Sequence, residues 1–220
     1  DGMHGAFLGT AYSDSQIEKI LMEYDFVYEK LSSHEIYSKA AQCILKNSAI
    51  GWFQGRMEFG PRSLGARSIL ANPTDPHGQS RINLKIKYRE SFRPFAPAML
   101  KKNAITYFEK VRADKYMLFV SFLKPEFRFE VARTGNLMDV TLIRSKFPSI
   151  THVDYSARVQ VVDDESPLFE LLEILSDHDI PMVVNTSFNV RGEPIVESPK
   201  DALFCFMATD LDFLFLGNFY

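Results

Sequence analysis

Residues Gly51–Leu100 read GWFQGRMEFGPRSLGARSILANPTDPHGQSRINLKIKYRESFRPFAPAML. The stretch begins inside an apolar run, Ile50–Gln54, that suits a strand. It passes through a segment rich in Gly, Pro and Arg. It then gives a helical pattern over Arg81–Lys87 and a second apolar run, Ala96–Leu100. Strand, helix and strand in succession predict an α/β domain, a mixed sheet with flanking helices. The same stretch carries Arg56, Arg62, Arg67, Arg81, Lys85, Lys87, Arg89 and Arg93 against only Glu58, Asp75 and Glu90. Guanidinium offers a planar fork of donors that matches phosphate and carboxylate; Lys offers a compact charge. Gly55, Gly60 and Gly65 allow close backbone approach, and Pro61, Pro94 and Pro97 stiffen the loops. Cations gathered in this way repel unless an anion or internal carboxylates neutralise them. Glu58 and Glu90 are the available internal partners, and three acids do not balance eight bases. The composition fits an anion site for a phosphate or an activated carboxylate. It also fits a surface whose bases are separately solvated, and composition alone leaves both open.

Working outward, Ser13-x-x-Gln16 and Ser32-x-x-Glu35 are capping boxes ahead of two helical patterns, Ile17, Ile20, Leu21, Tyr24 and Ile36, Ala40, Cys43, Ile44. Phe26-Val27-Tyr28 between them reads as a short strand. Residues 1–12, with three glycines and no hydrophobic period, read as a linker. The chain lacks an initiator Met and is expected to be a piece of something longer. Downstream, Met117–Leu123 and Ala157–Val162 read as strands, and residues 124–148 as a loop or flap around one short strand. Ser166-Pro167 and Ser198-Pro199 each set an N-cap and a first-turn proline before a helix, the first with a Leu168, Leu171, Leu172, Leu175 face and the second running through Met207. Pro181–Val184 is a buried strand, and Leu211–Phe219 closes the chain as another.

Two further groups carry chemistry. Asn185-Thr186-Ser187-Phe188-Asn189 follows the buried strand, where open α/β sheets place ligands. The same side chains can instead satisfy their own backbone in an Asx-type turn. His152 and Asp154 form either an acid–base pair or an ordinary hydrogen-bonded histidine. No Ser/His/Asp spacing commits to a nucleophile, and no His or acidic cluster to a metal.

The chain has 220 residues, a net charge of −3 and 19 phenylalanines, which predicts an aromatic core. Mild acidity argues against nucleic acid as a partner. No run reaches the roughly 20 apolar residues of a membrane span. Cys43 and Cys205 are expected to be buried thiols in a reducing, cytoplasmic setting.

GRMEFGPRSLGARSIL, KIKYRESFRPFAPAML, THVDYSARVQ and VNTSFNVRGEPIV, in this order, resemble the C-terminal domain of NodU/CmcH-type carbamoyltransferases. The likeness runs from about residue 7 to the end, and LGTAYSDSQIEKIL resembles the linker into that domain. It implies a YrdC-like fold over 13–220, the scaffold of threonylcarbamoyl-adenylate synthases, after a 1–12 linker from a preceding actin-like (Kae1-like) domain. It implies that carbamoyl phosphate and ATP, with Mg²⁺, give carbamoyl adenylate. The actin-like partner domain, holding its own metal ion, would pass the carbamoyl group to an acceptor hydroxyl. Residue by residue, Lys87-Tyr88-Arg89 resembles the K-x-R signature of that fold. Lys87, Arg93 and Arg158 are implied as catalytic cations, and Arg89 and Ser156 as companions in the clamp. Asn185, Ser187 and Asn189 would bind the nucleotide, and Arg56 and Arg62 the substrate. The alternative is a non-catalytic domain that docks and supports the transferase domain.

Overall fold

The computed structural model describes residues 2–132 and 134–220. Six strands form the main sheet: β1 (Ile50–Phe53), β2 (Arg67–Ala71), β3 (Ala96–Leu100), β7 (Gln160–Val162), β8 (Val183–Ser187) and β9 (Phe213–Leu216), in the order β7-β3-β8-β2-β1-β9. β1 with β9 and β3 with β7 run parallel, and the other pairs antiparallel, so the sheet is mixed. A second sheet joins β4 (Phe108–Glu109), β5 (Val120–Leu123) and β6 (Ser156–Arg158) in sequential order.

Alternation along the main strands divides the core in two. Ile50, Trp52, Leu70, Ala98, Val183 and Phe215 face α2 (Glu35–Leu45) and α5 (Phe169–Asp177). Phe53, Ile69, Met99, Val184 and Leu216 face the other way, toward α1 (Asp14–Glu23), α3 (Gly78–Lys85) and α6 (Pro199–Met207). Both faces are covered, which is why these strands read as continuous apolar runs. The remaining helix, α4 (Lys101–Tyr107), follows β3 directly.

The capping boxes form as their residue types require. Ser13 with Gln16 caps α1, and Ser198 with Asp201 caps α6. Ser32 Oγ accepts from the Glu35 amide while the Glu35 carboxylate accepts from the Ser32 amide. Ahead of α5, Ser166 Oγ accepts from the Leu168 amide, and the helix itself begins at Phe169, three residues after that serine.

Several expectations need correction. Phe26–Tyr28 is no strand: Asp25 turns the chain at φ +55°, Val27 is fully exposed, and backbone pairing begins only at Glu29, which bonds Tyr220, with Lys30 opposite Phe219. Ala157–Val162 is two strands in different sheets rather than one. β2 and α4 were not anticipated at all. The 166–168 segment, the end of α3 and the limits of β9 fall within a few residues of expectation, as element ends do. Residues 6–10, read as linker, hydrogen-bond along residues 57–59. Cys43 and Cys205 are buried and unpaired, and burial pushes the Cys205 thiol up to about 11. No helix among the described residues is long and apolar enough to cross a membrane.

Candidate anion site

The sheet order explains how distant residues meet. β8 lies between β2 and β3, antiparallel to both, with Ser187 opposite Ser68 and Asn185 opposite Ala96. The end of β8 therefore emerges between the starts of β2 and β3. The loop before β2 (residues 61–66) and the segment before β3 (residues 87–95) flank it from either side. Gly65 fits the first loop for two reasons: its φ is +118°, and a Cβ there would lie 2.6 Å from Leu168 Cγ. Glu58 is buried and holds this loop. One of its carboxylate oxygens accepts from the amides of Leu64, Ala66 and Arg67, so it organises backbone rather than an arginine side chain. In the second segment the chain leaves α3 through Tyr88 at φ +47°, between Lys87 and Arg89. Buried Asn83 accepts from Arg89 Nε at 2.6 Å and donates to the carbonyls of Ser91 and Arg93.

Two cavities result, sharing Arg89 and Ser187. The first, about 270 Å³, is lined by Lys87, Arg89, Glu90, Arg93, Asn189 and Arg191, among others. The second, about 150 Å³, has Arg62, Arg89, Arg158, Asn185 and Ser187 in its wall. A larger cavity of about 380 Å³ lies elsewhere, beside β9, Leu21 and Leu203. Its wall is mainly apolar, and no cations converge on it, so the anion chemistry belongs to the smaller pair.

Lys87 is buried at the floor of the first cavity. Its Nζ donates to Ser187 O, Ser187 Oγ, Asn189 O and Asn189 Oδ1, the last at 2.8 Å. Burial, and then the charge of Arg89, lowers its pKa to about 7. Burial and then Arg93 hold Arg89 below the usual guanidinium range, and its side chain lies 5.0 Å above the Phe95 ring. Arg93 is exposed and paired with Glu90 at 3.0 Å. In the second cavity, burial and then the charge of Arg62 lower the pKa of Arg158. Arg158 Nε and Asn185 Oδ1 are buried with no hydrogen-bond partner among the described residues. Asn185 Nδ2 donates to Gln160 Oε1 at 2.8 Å, which fixes its orientation. Buried groups of this kind normally find partners, so an orphaned guanidinium nitrogen in a cationic cavity points to an anion.

Of the residues singled out in the sequence, Lys87, Arg89, Arg93, Ser187 and Asn189 meet in the first cavity. Arg62, Arg89, Arg158, Asn185 and Ser187 meet in the second. Ser156 lines neither; its hydroxyl donates to Asp154 Oδ1 at 2.7 Å. Arg56 lines neither and donates to Leu8 O at 2.8 Å. That same Asp154 oxygen also accepts from the Ser156 amide, and burial lowers the pKa of His152. The excess of bases also resolves. Arg67 is fully buried, 3.5 Å from the Phe53 ring centre, with hydrogen bonds to five backbone carbonyls. Arg81 pairs with Asp75 at 3.3 Å and Lys85 with Asp210 at 3.4 Å. Arg191 was quoted in the sequence without a role, yet it lines the first cavity. Its place two residues after the Asn185–Asn189 run was the available signal.

Comparison with known proteins agrees with this architecture. The family described as "Carbamoyltransferase C-terminus" matches residues 41–220. Nodulation protein NolO of Bradyrhizobium diazoefficiens is 40% identical over 190 residues, which are 85% of this chain and 32% of NolO. The chain spans about a third of the length of the curated relatives it matches. Among solved structures, the H234A/Y235A form of P. abyssi Sua5 superposes with a TM-score of 0.56 at 14% identity, covering 86% of this chain and 51% of Sua5. Full-length HypF in its phosphate- and nucleotide-bound form superposes with a TM-score of 0.51 at 16% identity, covering 84% and 25%. Both neighbours carry the YrdC-like domain, and the fold of this chain is YrdC-like.

Proposed function

Because this chain belongs to the carbamoyltransferase C-terminus family, we propose that its paired cavities bind ATP and carbamoyl phosphate side by side and form carbamoyl adenylate. The observation that carries this reading is the sharing of Arg89 and Ser187 by two separate cationic cavities. One anion needs one such cavity; two anionic reactants that must meet need two that touch. The balanced reaction consumes carbamoyl phosphate, ATP and water and releases phosphate and pyrophosphate. A carbamate oxygen attacks the α-phosphorus, and the bond from that phosphorus to pyrophosphate breaks.

The residues fit this chemistry. Arg62, Arg89, Arg93, Arg158 and Arg191 supply donors to phosphate oxygens, and fixed donors lose little order when charge develops. Holding two reactants together contributes on the order of 7–11 kcal/mol toward such a barrier. Lys87 and Asn189 set the turn after β8 that walls the first cavity. The orphaned Arg158 Nε and Asn185 Oδ1 suit a nucleotide's acceptors and donors. A protein-held Mg²⁺ does not fit these walls: Glu90 is their one carboxylate among the described residues, and it is paired with Arg93. In this reading an actin-like partner domain transfers the carbamoyl group onward to an acceptor hydroxyl.

Exchange of labelled pyrophosphate into ATP tests the reading. It should depend on carbamoyl phosphate and fall at least tenfold in Arg158→Ala and in Arg93→Ala. Exchange that survives both substitutions would overturn the assignment of this chemistry to the cavities, and a parent chain with no exchange would leave the domain only a docking role.

A further inference from the structure

The outer face of the second sheet carries exposed apolar side chains. Along β5, Val120 and Phe122 are 58% and 44% exposed, while Ser121 and Leu123 point into the core. Adjoining Leu118 and Phe119 are exposed as well, the Phe119 ring carrying the Arg112 guanidinium 4.3 Å from its centre. Three consecutive exposed apolar residues are unusual on a folded surface without a ligand or partner. They do not sit on a loose loop. The buried Asp114 carboxylate accepts from the amides of Tyr116, Leu118 and Phe119, and the Asp114 carbonyl accepts from Val161 of β7. The backbone under Leu118 and Phe119 is thus held by Asp114, and that under Val120 and Phe122 by pairing with β6.

Strand register ties this face to the second cavity. Val120 is paired with Arg158, and Phe122 with Ser156. Paired residues in an antiparallel sheet share a face, with Cβ atoms about 5 Å apart. Arg158 and Met117 both line the second cavity. An apolar platform therefore starts beside the orphaned guanidinium and runs outward about 7 Å, two residues of strand, to Phe122. Val120 and Phe122 have nothing to offer a phosphate. They offer a flat, fixed surface to an aromatic ring whose charged end is held by Arg158 and Arg62.

We propose that this face is the platform on which the purine ring of the nucleotide stacks while its phosphates occupy the Arg62–Arg158 cavity. The proposal rests on the reading of the cavities given above. It makes Phe122 and Val120 specificity-determining residues that separate a nucleotide from any other polyphosphate.

The test is calorimetric titration of the chain with ATP and, separately, with inorganic triphosphate, which has phosphates and no base. Loss of one base–aromatic contact should weaken ATP binding about tenfold in Phe122→Ala and leave triphosphate binding within about twofold. Phe122→Tyr keeps the ring and should bind ATP like the parent chain. If Phe122→Ala fails to fold, Val120→Thr, nearly isosteric and more polar, should still weaken ATP selectively. Equal losses for ATP and triphosphate, or no loss for either, would overturn the platform while leaving the cavities intact. A parent chain that binds neither ligand would overturn the cavity reading and the platform with it.

Discussion

Lys87 gives the cavities a proton-linked signature. Its ammonium lies among four acceptors of Ser187 and Asn189, and burial with the charge of Arg89 leaves its pKa near 7. At pH 8 the free chain then carries the proton about one time in ten. A phosphate in the cavity favours the charged form and raises the pKa. Binding at pH 8 should therefore take up close to one proton, about 0.9 if the bound pKa rises well above 9. The sign follows from the same shift. Affinity is greatest below pH 7, where the proton is already present. It weakens as pH rises through 7, about tenfold per unit, until the bound-state pKa is reached. Calorimetry in buffers of different ionisation enthalpy measures the uptake, and a pH series from 6 to 9 measures the slope. Lys87→Met should remove both, and the ligand's own titration cancels in the difference between the two chains. That substitution also strips a donor from four acceptors, so its affinity at one pH is not diagnostic; its slope is. A parent chain whose affinity changes no more steeply with pH than Lys87→Met refutes the reasoning.

Two further substitutions test how the surrounding segment is built. Arg67→Ala removes a fully buried guanidinium bonded to five carbonyls and should cost about 3–5 kcal/mol. A thermal melt should show a drop of about 6–20 °C, whereas exposed Arg62→Ala should leave the melting temperature nearly unchanged. Gly65→Ala adds a Cβ 2.6 Å from Leu168 Cγ at φ +118°, while Gly55→Ala at φ +55° meets open space. The first should destabilise by at least about 2 kcal/mol and the second by about half as much. Equal losses in urea titrations would deny the packing role of Leu168.

The elements that were legible in the sequence were those with a local physical cause. Capping boxes at Ser13 and Ser32 and the Ser198-Pro199 N-cap marked three helices, and apolar runs marked β1, β3 and β8. β2 was hidden because it begins with Arg67, and a buried arginine at a strand start reads like a loop residue. The strand over 157–162 was read as continuous because nothing local announces that residues on either side of Val159 join different sheets. Phe26-Val27-Tyr28 misled because apolar content was counted without knowing that Val27 would be left in solvent. The site divides along the same line. Its cations were visible as a cluster, but charge counting could not tell Arg67, Arg81 and Lys85, which have internal partners, from Arg62, Lys87, Arg89 and Arg93, which face the cavities. Nor does any local pattern show that Lys87 meets Ser187 across 100 positions; that follows from β8 lying between β2 and β3. The platform at Val120 and Phe122 was invisible for the same reason, since only the register with β6 sets it beside Arg158.

The central claim is that two touching cavities hold two anionic reactants at once. A crystal structure of the chain soaked with both ATP and carbamoyl phosphate tests it most directly. The account predicts phosphate groups in both cavities, on either side of Arg89 and Ser187. Ligand density in only one of them, or in the apolar cavity beside β9 instead, would contradict it.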